Sequence, residues 1–356
     1  MPTPLTSRER IRLALSHREA DRIAIHDAPW AATLTRWYQE GLPYGTPPEE
    51  YFGFEIRRFV PDLSPQYPVR VLERTDEYVV ETTPYGGVRR NHRDRSTTPE
   101  LIDYAIKTRQ DWEAAKKRLQ PSYTRIDWVT FRESYERARA DGLFLTVPVL
   151  SAYDNCGFYI RSDELLPLLL TEPEWIRDMA ETQADLVIET AKMLIREGYQ
   201  FDAIWPHNDM GYRNAPFFSL RVYRELFMPA DRRMFDFFHS QGWYVFLHSC
   251  GQIKPFIPDL IEIGLDCLQP LEVKAGMDLV ELKREYGQHL TFMGGIDVRA
   301  MADPDPRAIE EEIARKIPVA KVGGGYIYHS DHSVPNNVSF QQYCRVLELV
   351  RKYGQY

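Results

Sequence analysis

Residues 238–269 read FHSQGWYVFLHSCGQIKPFIPDLIEIGLDCLQ, and this stretch decides the fold. Trp243 to Leu247 is a short apolar run of aromatic and β-branched character, the mark of a buried strand. It ends on the turn His248-Ser249-Cys250-Gly251. A helix is expected over residues 252–263, and a second strand over 267–269. Strand, helix and strand at this spacing make one parallel βα unit.

The same alternation extends in both directions. Strands are expected at 143–150, 201–205, 290–293 and 325–328, with helices at 163–170, 174–196, 220–240, 278–286, 306–319 and 340–353. Residues 22–26 supply an earlier strand, which makes seven, and the eighth is expected in the less readable region before Leu143. Ser7 reads as the N-cap of a first helix. Residues 47–95 change pattern: VLERTDEYVVETTPYGGVRRNHRD alternates around Pro84-Tyr85-Gly86-Gly87 and reads as a hairpin or small meander. Helices follow at 110–119 and 127–141. The expected fold is an α/β (β/α)8 TIM barrel, one domain over 1–356. Residues 1–142 include an N-terminal helical and β-hairpin elaboration, and 143–356 hold the regular βα units. A doubly wound open sheet also explains the alternation, but it brings fewer strand ends together.

Composition narrows the function. With 356 residues, 44% hydrophobic and 27% charged, the chain can bury a sizeable core. The net charge of -8, from 44 basic and 52 acidic residues, offers no field for a phosphate backbone, so no nucleic-acid partner is expected. No apolar run approaches the ~18 residues that span a bilayer, and the first residues lack a signal-peptide core, so no membrane partner and a cytoplasmic location are expected. The four cysteines, Cys156, Cys250, Cys267 and Cys344, have no disulfide-framework spacing. The sequence leaves the oligomeric state open.

Polar side chains gather just past the strand ends. Asp154 and Asn155 follow the 143–150 strand; His207, Asn208 and Asp209 follow 201–205; His248 and Cys250 end 243–247. Glu272 follows 267–269, Asp297 follows 290–293, and His329, Asp331 and His332 follow 325–328. A parallel barrel brings all these ends to one face, where such enzymes keep their chemistry. His248 and Cys250, two residues apart, suit a borderline-soft metal such as zinc. Third-ligand candidates are His332, His329, Asp331 and Glu272. The plainer alternative is a hydrogen-bonded histidine and a cysteine packed as a small hydrophobe. Asp209 reads either as a substrate-orienting or proton-accepting carboxylate or as a loop cap. His332 reads as a catalytic proton donor or a ligand. Asp154, Asn155, His207, Glu272 and Asp297 are the expected substrate contacts.

The opening TSRERIRLALSHREADRIAI (6–25), RTDEYVVETTPYGGVRRNH (74–92), residues 238–287, LTFMGGID (290–297) and GGGYIYHSDHSVPNNVSFQQY (323–343) together resemble the uroporphyrinogen decarboxylase superfamily, in its corrinoid-dependent methyltransferase-like branch. The resemblance implies a (β/α)8 barrel. It also implies a zinc held by a His-x-Cys pair and a distant third ligand, commonly cysteine. His248 and Cys250 match the pair. The matching region for the third ligand reads Tyr-His-Ser-Asp-His-Ser-Val-Pro, with His332 or Asp331 about where the cysteine would stand. The implied activity moves a methyl group between a small O-, N- or S-methyl compound and a corrinoid (cobalamin) supplied by a partner carrier protein. The other branch sheds carboxylates from a tetrapyrrole without metal, using an arginine-rich N-terminal segment. The corresponding stretch here, residues 26–43, holds only Arg36. A metal-independent decarboxylase and a non-catalytic tetrapyrrole- or corrinoid-binding protein are the alternatives.

Overall fold

The structure, a computed structural model, describes residues 4–94 and 98–356. Eight parallel strands form its centre: β1 (Ala24–Ile25), β2 (Ile56–Arg58), β3 (Phe144–Leu150), β4 (Ala203–His207), β5 (Tyr244–His248), β6 (Cys267–Gln269), β7 (Thr291–Met293) and β8 (Tyr326–Tyr328). Their order is β1-β8-β7-β6-β5-β4-β3-β2. Glu55 N donates to Ile25 O at 2.9 Å, which links the two outermost strands and closes the sheet into a barrel. Helices cover the outside, so both strand faces are buried; six of the seven residues of β3 are buried, for example. That is why these strands read as continuous apolar runs.

The seven strands expected from the alternation are present, and the eighth is Ile56–Arg58, paired in parallel with Phe144, Leu145 and Thr146. Its sequence, Ile-Arg-Arg, has no apolar run to announce it. Residues 47–95 therefore do more than form a hairpin: they begin with a helix, Pro48–Phe52, and a barrel strand. The expected meander follows, as a four-stranded antiparallel sheet of Val71–Arg74, Tyr78–Thr82, Val88–His92 and Glu100–Asp103. Arg95, the expected end of that region, lies outside the described residues. The first helix is capped one residue earlier than expected. Thr6 Oγ1 accepts from Glu9 N, and the Glu9 carboxylate accepts from Thr6 N, a reciprocal capping box. Helices Ala31–Glu40, Ala152–Gly157 and Val298–Ala302 are additional to the expected set.

The N-terminal ends of the strands are closed by buried ion pairs. Glu55 pairs with Arg10 and Arg22 and accepts from Ile25 N at 2.6 Å; Asp202 pairs with Arg8 at 2.7 Å and Arg139 at 2.6 Å. Both carboxylates immediately precede a barrel strand, so that face is given to stability and the opposite face to chemistry. Among the described residues no helix is long and apolar enough to cross a membrane.

Candidate metal and active site

The C-terminal ends of β4, β5 and β6 lie level. His207 is the register partner of His248, and His248 is the partner of Gln269. Because side chains alternate along a strand, residues in register point the same way. The His207 and His248 rings stack with centroids 4.6 Å apart. Gln269 Oε1 is 2.5 Å from His248 Nδ1. With that oxygen accepting, Nδ1 is the donor, and in a neutral imidazole the lone pair then falls on Nε2. His248 Nε2 is 3.3 Å from Cys250 Sγ.

The turn that carries Cys250 is fixed from both sides. Cys250 N donates to Asp209 Oδ1 at 2.9 Å, from the loop after β4. Gly251 N donates to Glu272 Oε2 at 2.7 Å, from the loop after β6. Gly251 has φ +78°, and a Cβ there would fall 2.4 Å from the Gly211 carbonyl oxygen. Two loops touch backbone to backbone at this point, and only glycine permits both the angle and the approach.

Two donor sets converge on Cys250. Asp209, His248 and Cys250 form one; Cys250, Glu272 and His332 form the other; within each, the ligand atoms all lie within 4.8 Å of one another. Asp209 Oδ1 is 3.5 Å from His248 Nε2, and His332 Nε2 is 4.0 Å from Glu272 Oε1. Burial holds the His332 imidazole below its ordinary pKa, in the neutral form a metal ligand needs. Burial, together with the Asp209 and Glu272 carboxylates, pushes the Cys250 thiol far up. The two sets share only the Cys250 thiol, and Glu272 Oε1 also pairs with Lys274 Nζ at 3.1 Å; the donor types in each set, a thiol, an imidazole and a carboxylate, are those that can hold zinc.

The other expected site residues divide clearly. Asp154 stands near Asp209, and burial and that charge raise its pKa well above the carboxylate range. His207 lies at the barrel mouth beside His248. Asn155 has no exposed surface, so it does not line the opening. Asp297 caps helix Val298–Ala302 and forms a two-pronged pair with Arg299, at 3.0 and 2.7 Å. Among the third-ligand candidates, Asp331 is engaged by backbone: its carboxylate accepts from Val273 N and Val298 N, both at 3.0 Å. His329 Nδ1 is 2.7 Å from Ser330 O, and the imidazole is buried. Glu272 and His332 remain at the cluster. The structure adds Gln269, which orients His248, and Arg58, which ends β2 inside the barrel mouth. Gln269 was visible in the sequence as a polar end to a buried strand; Arg58 gave no such signal.

The family model of uroporphyrinogen decarboxylase (URO-D) matches residues 93–353, which include every ligand candidate named above. The chain belongs to the uroporphyrinogen decarboxylase family. Among solved structures, a methyltransferase from Methanosarcina mazei superposes with a TM-score of 0.68 at 13% identity, covering 98% of this chain and 99% of that one. At that identity the likeness is one of fold, and it takes in the N-terminal segment that precedes the family match. A glycerophosphoryl diester phosphodiesterase from Parabacteroides distasonis aligns over 99% of this chain and 94% of that one, at 10% identity, with a TM-score of only 0.38. Curated protein sequences give no match.

Proposed function

We propose that this uroporphyrinogen decarboxylase family member is a methyltransferase. It would move a methyl group between a small O-, N- or S-methyl compound and a corrinoid carried by a partner protein, with zinc at Cys250. The observation that carries this reading is the convergence of His248, Asp209, Glu272 and His332 on the Cys250 thiol. Cys250 and His248, with Glu272 and His332 from later loops, would hold the ion. Bound there, zinc would supply Lewis acidity at the methyl-bearing heteroatom.

The chain's own residues prepare that chemistry. Gln269 fixes the His248 tautomer, as hydrogen-bonded partners of metal-ligating histidines do. Asp209 and Glu272 hold the turn through Cys250 N and Gly251 N and concentrate negative charge around the thiol. His332, neutral and stacked near Trp30 at 6.4 Å between ring centroids, is positioned to accept a proton at Nε2 or to ligate through it. The decarboxylase alternative is weakened by the state of Arg36. That guanidinium pairs with Glu40 at 2.6 Å and donates to Asn336 O at 2.7 Å, so it is engaged away from any polycarboxylate.

The test combines elemental analysis of the purified protein with methyl transfer to free cob(I)alamin from a panel of methoxy, methylamine and methylthio compounds. The expected result is about one zinc per chain and methylcobalamin formation with one donor class, both lost in Cys250→Ala. Full transfer by metal-free protein and by Cys250→Ala overturns the proposal.

A further inference from the structure

Arg58 is the last residue of β2, so its side chain enters the barrel mouth. No carboxylate among the described residues forms an ion pair with it. Its Cζ lies 5.5 Å from the Trp205 ring centroid, over the ring. Partial desolvation draws its pKa below the ordinary arginine value, with no neighbouring charge raising it. It lines a cavity of about 220 Å³ together with Leu63, Tyr85, Leu150 and His207.

The polar atoms around this cation also lack partners. Trp205 Nε1, His207 Nε2 and His26 Nδ1 are buried without a hydrogen bond. Buried polar groups are normally satisfied, and the exposed guanidinium beside these three stands open to an anion entering the cavity. The cavity also adjoins the Cys250 cluster. Trp205 stacks on His207 with centroids 6.3 Å apart, and His207 stacks on His248 at 4.6 Å. Arg58 and the candidate metal ligands therefore lie at two ends of one row of rings.

We propose that Arg58 is a substrate-binding residue that takes the carboxylate of a small, planar organic acid. The part played by that acid, as the methyl compound itself or its demethylated product, rests on the methyltransferase reading; the binding does not. A guanidinium matches a carboxylate with two parallel hydrogen bonds, and the Tyr85 ring with the apolar Leu63, Val149 and Leu150 around it suits an aromatic or conjugated body. A single cation balances a single negative charge. Asp209 and Glu272 at the same mouth repel a second, which disfavours a phosphate dianion.

Calorimetric titration with benzoate, benzamide and phenyl phosphate tests this on the whole chain, both as purified and after metal removal with a chelator. Benzoate is expected to bind in both forms, and benzamide and phenyl phosphate at least about ten-fold more weakly, the effect of losing a charge-assisted pair or mismatching its charge. Arg58→Gln should lose at least about ten-fold for benzoate and leave benzamide unchanged, with Arg58→Lys between the two. Because wild-type discrimination between benzoate and benzamide needs no variant, a folding defect cannot obscure the answer. No benzoate binding at millimolar concentration, equal binding of benzamide, tighter binding of phenyl phosphate, or unchanged benzoate affinity in Arg58→Gln each overturns the assignment. Benzoate binding in both forms, with no methyl transfer to cob(I)alamin by the zinc-loaded protein from any donor of the panel, would support the subsite and reject the methyltransferase reading, so the two failures are distinguishable.

Discussion

Gln269 Oε1 lies 2.5 Å from His248 Nδ1, and the two residues are register partners on adjacent strands. The side chain of one barrel strand thereby sets the tautomer of the next and aims His248 Nε2 at Cys250, 3.3 Å away. Gln269→Leu removes the acceptor and leaves the ring free to rotate or change tautomer. Zinc affinity, measured by competition with a chromophoric chelator, is expected to fall about 10- to 100-fold while the thermal unfolding midpoint changes little. Unchanged affinity would mean that the Gln269 contact does not tune a metal at His248.

Glu272 has two functions that substitution can separate. Its Oε2 accepts from Gly251 N at 2.7 Å, and its charge faces Cys250 and His332. Glu272→Gln keeps an acceptor for Gly251 N and removes the charge, so metal affinity should fall with stability nearly retained. Glu272→Ala removes both and should also cost about 1–3 kcal/mol of stability, the penalty for a buried unpaired N–H. Chelator competition and denaturant melts on the two variants read the two effects independently.

Gly251→Ala places a Cβ 2.4 Å from the Gly211 carbonyl at φ +78°. Backbone on both sides prevents relief, so destabilisation of at least about 2 kcal/mol is expected, with loss of the Cys250 geometry. A denaturant melt and zinc content on the same sample check both parts.

A pH prediction comes from Asp231, which belongs to neither donor set. It is fully buried, bonded by Ser151 Oγ at 2.5 Å and Tyr223 OH at 3.2 Å, and burial raises its pKa to about 6. The unfolded value is about 3.9. The folded state therefore holds the proton more tightly, so this contribution to stability is fully present below about pH 4 and is lost as pH rises through about 6. The loss amounts to at most about 3 kcal/mol. Asp231→Asn, which stays neutral, should flatten the stability profile between pH 4 and 7 in urea melts; an unchanged profile would show that Asp231 does not carry it.

The sequence made the barrel legible because parallel strands buried on both faces leave apolar runs, and the His-x-Cys turn stood out because it ends one of them. Strand β2 escaped because it is only three residues long, Ile-Arg-Arg, with a single apolar residue and so no run to announce it. The choice among third ligands was equally hidden. Asp331 and Glu272 are both carboxylates just past a strand, and only the fold shows that Asp331 is bound by two backbone N–H groups while Glu272 keeps an oxygen toward Cys250 and His332. Asp297 looked like a site residue by the same positional rule, yet it is a helix cap. Position after a strand brings a side chain to the right face; which partner it finds there depends on loops distant in sequence.

Zinc-edge X-ray absorption on the purified protein reads whether Cys250 holds a metal. Bound zinc is expected with one sulfur ligand at about 2.3 Å and the remaining ligands nitrogen or oxygen at about 2.0–2.2 Å, with the sulfur shell absent in Cys250→Ser. Protein purified with zinc supplied throughout that binds none, or binds it with no sulfur ligand, would rule out a metal centre at Cys250.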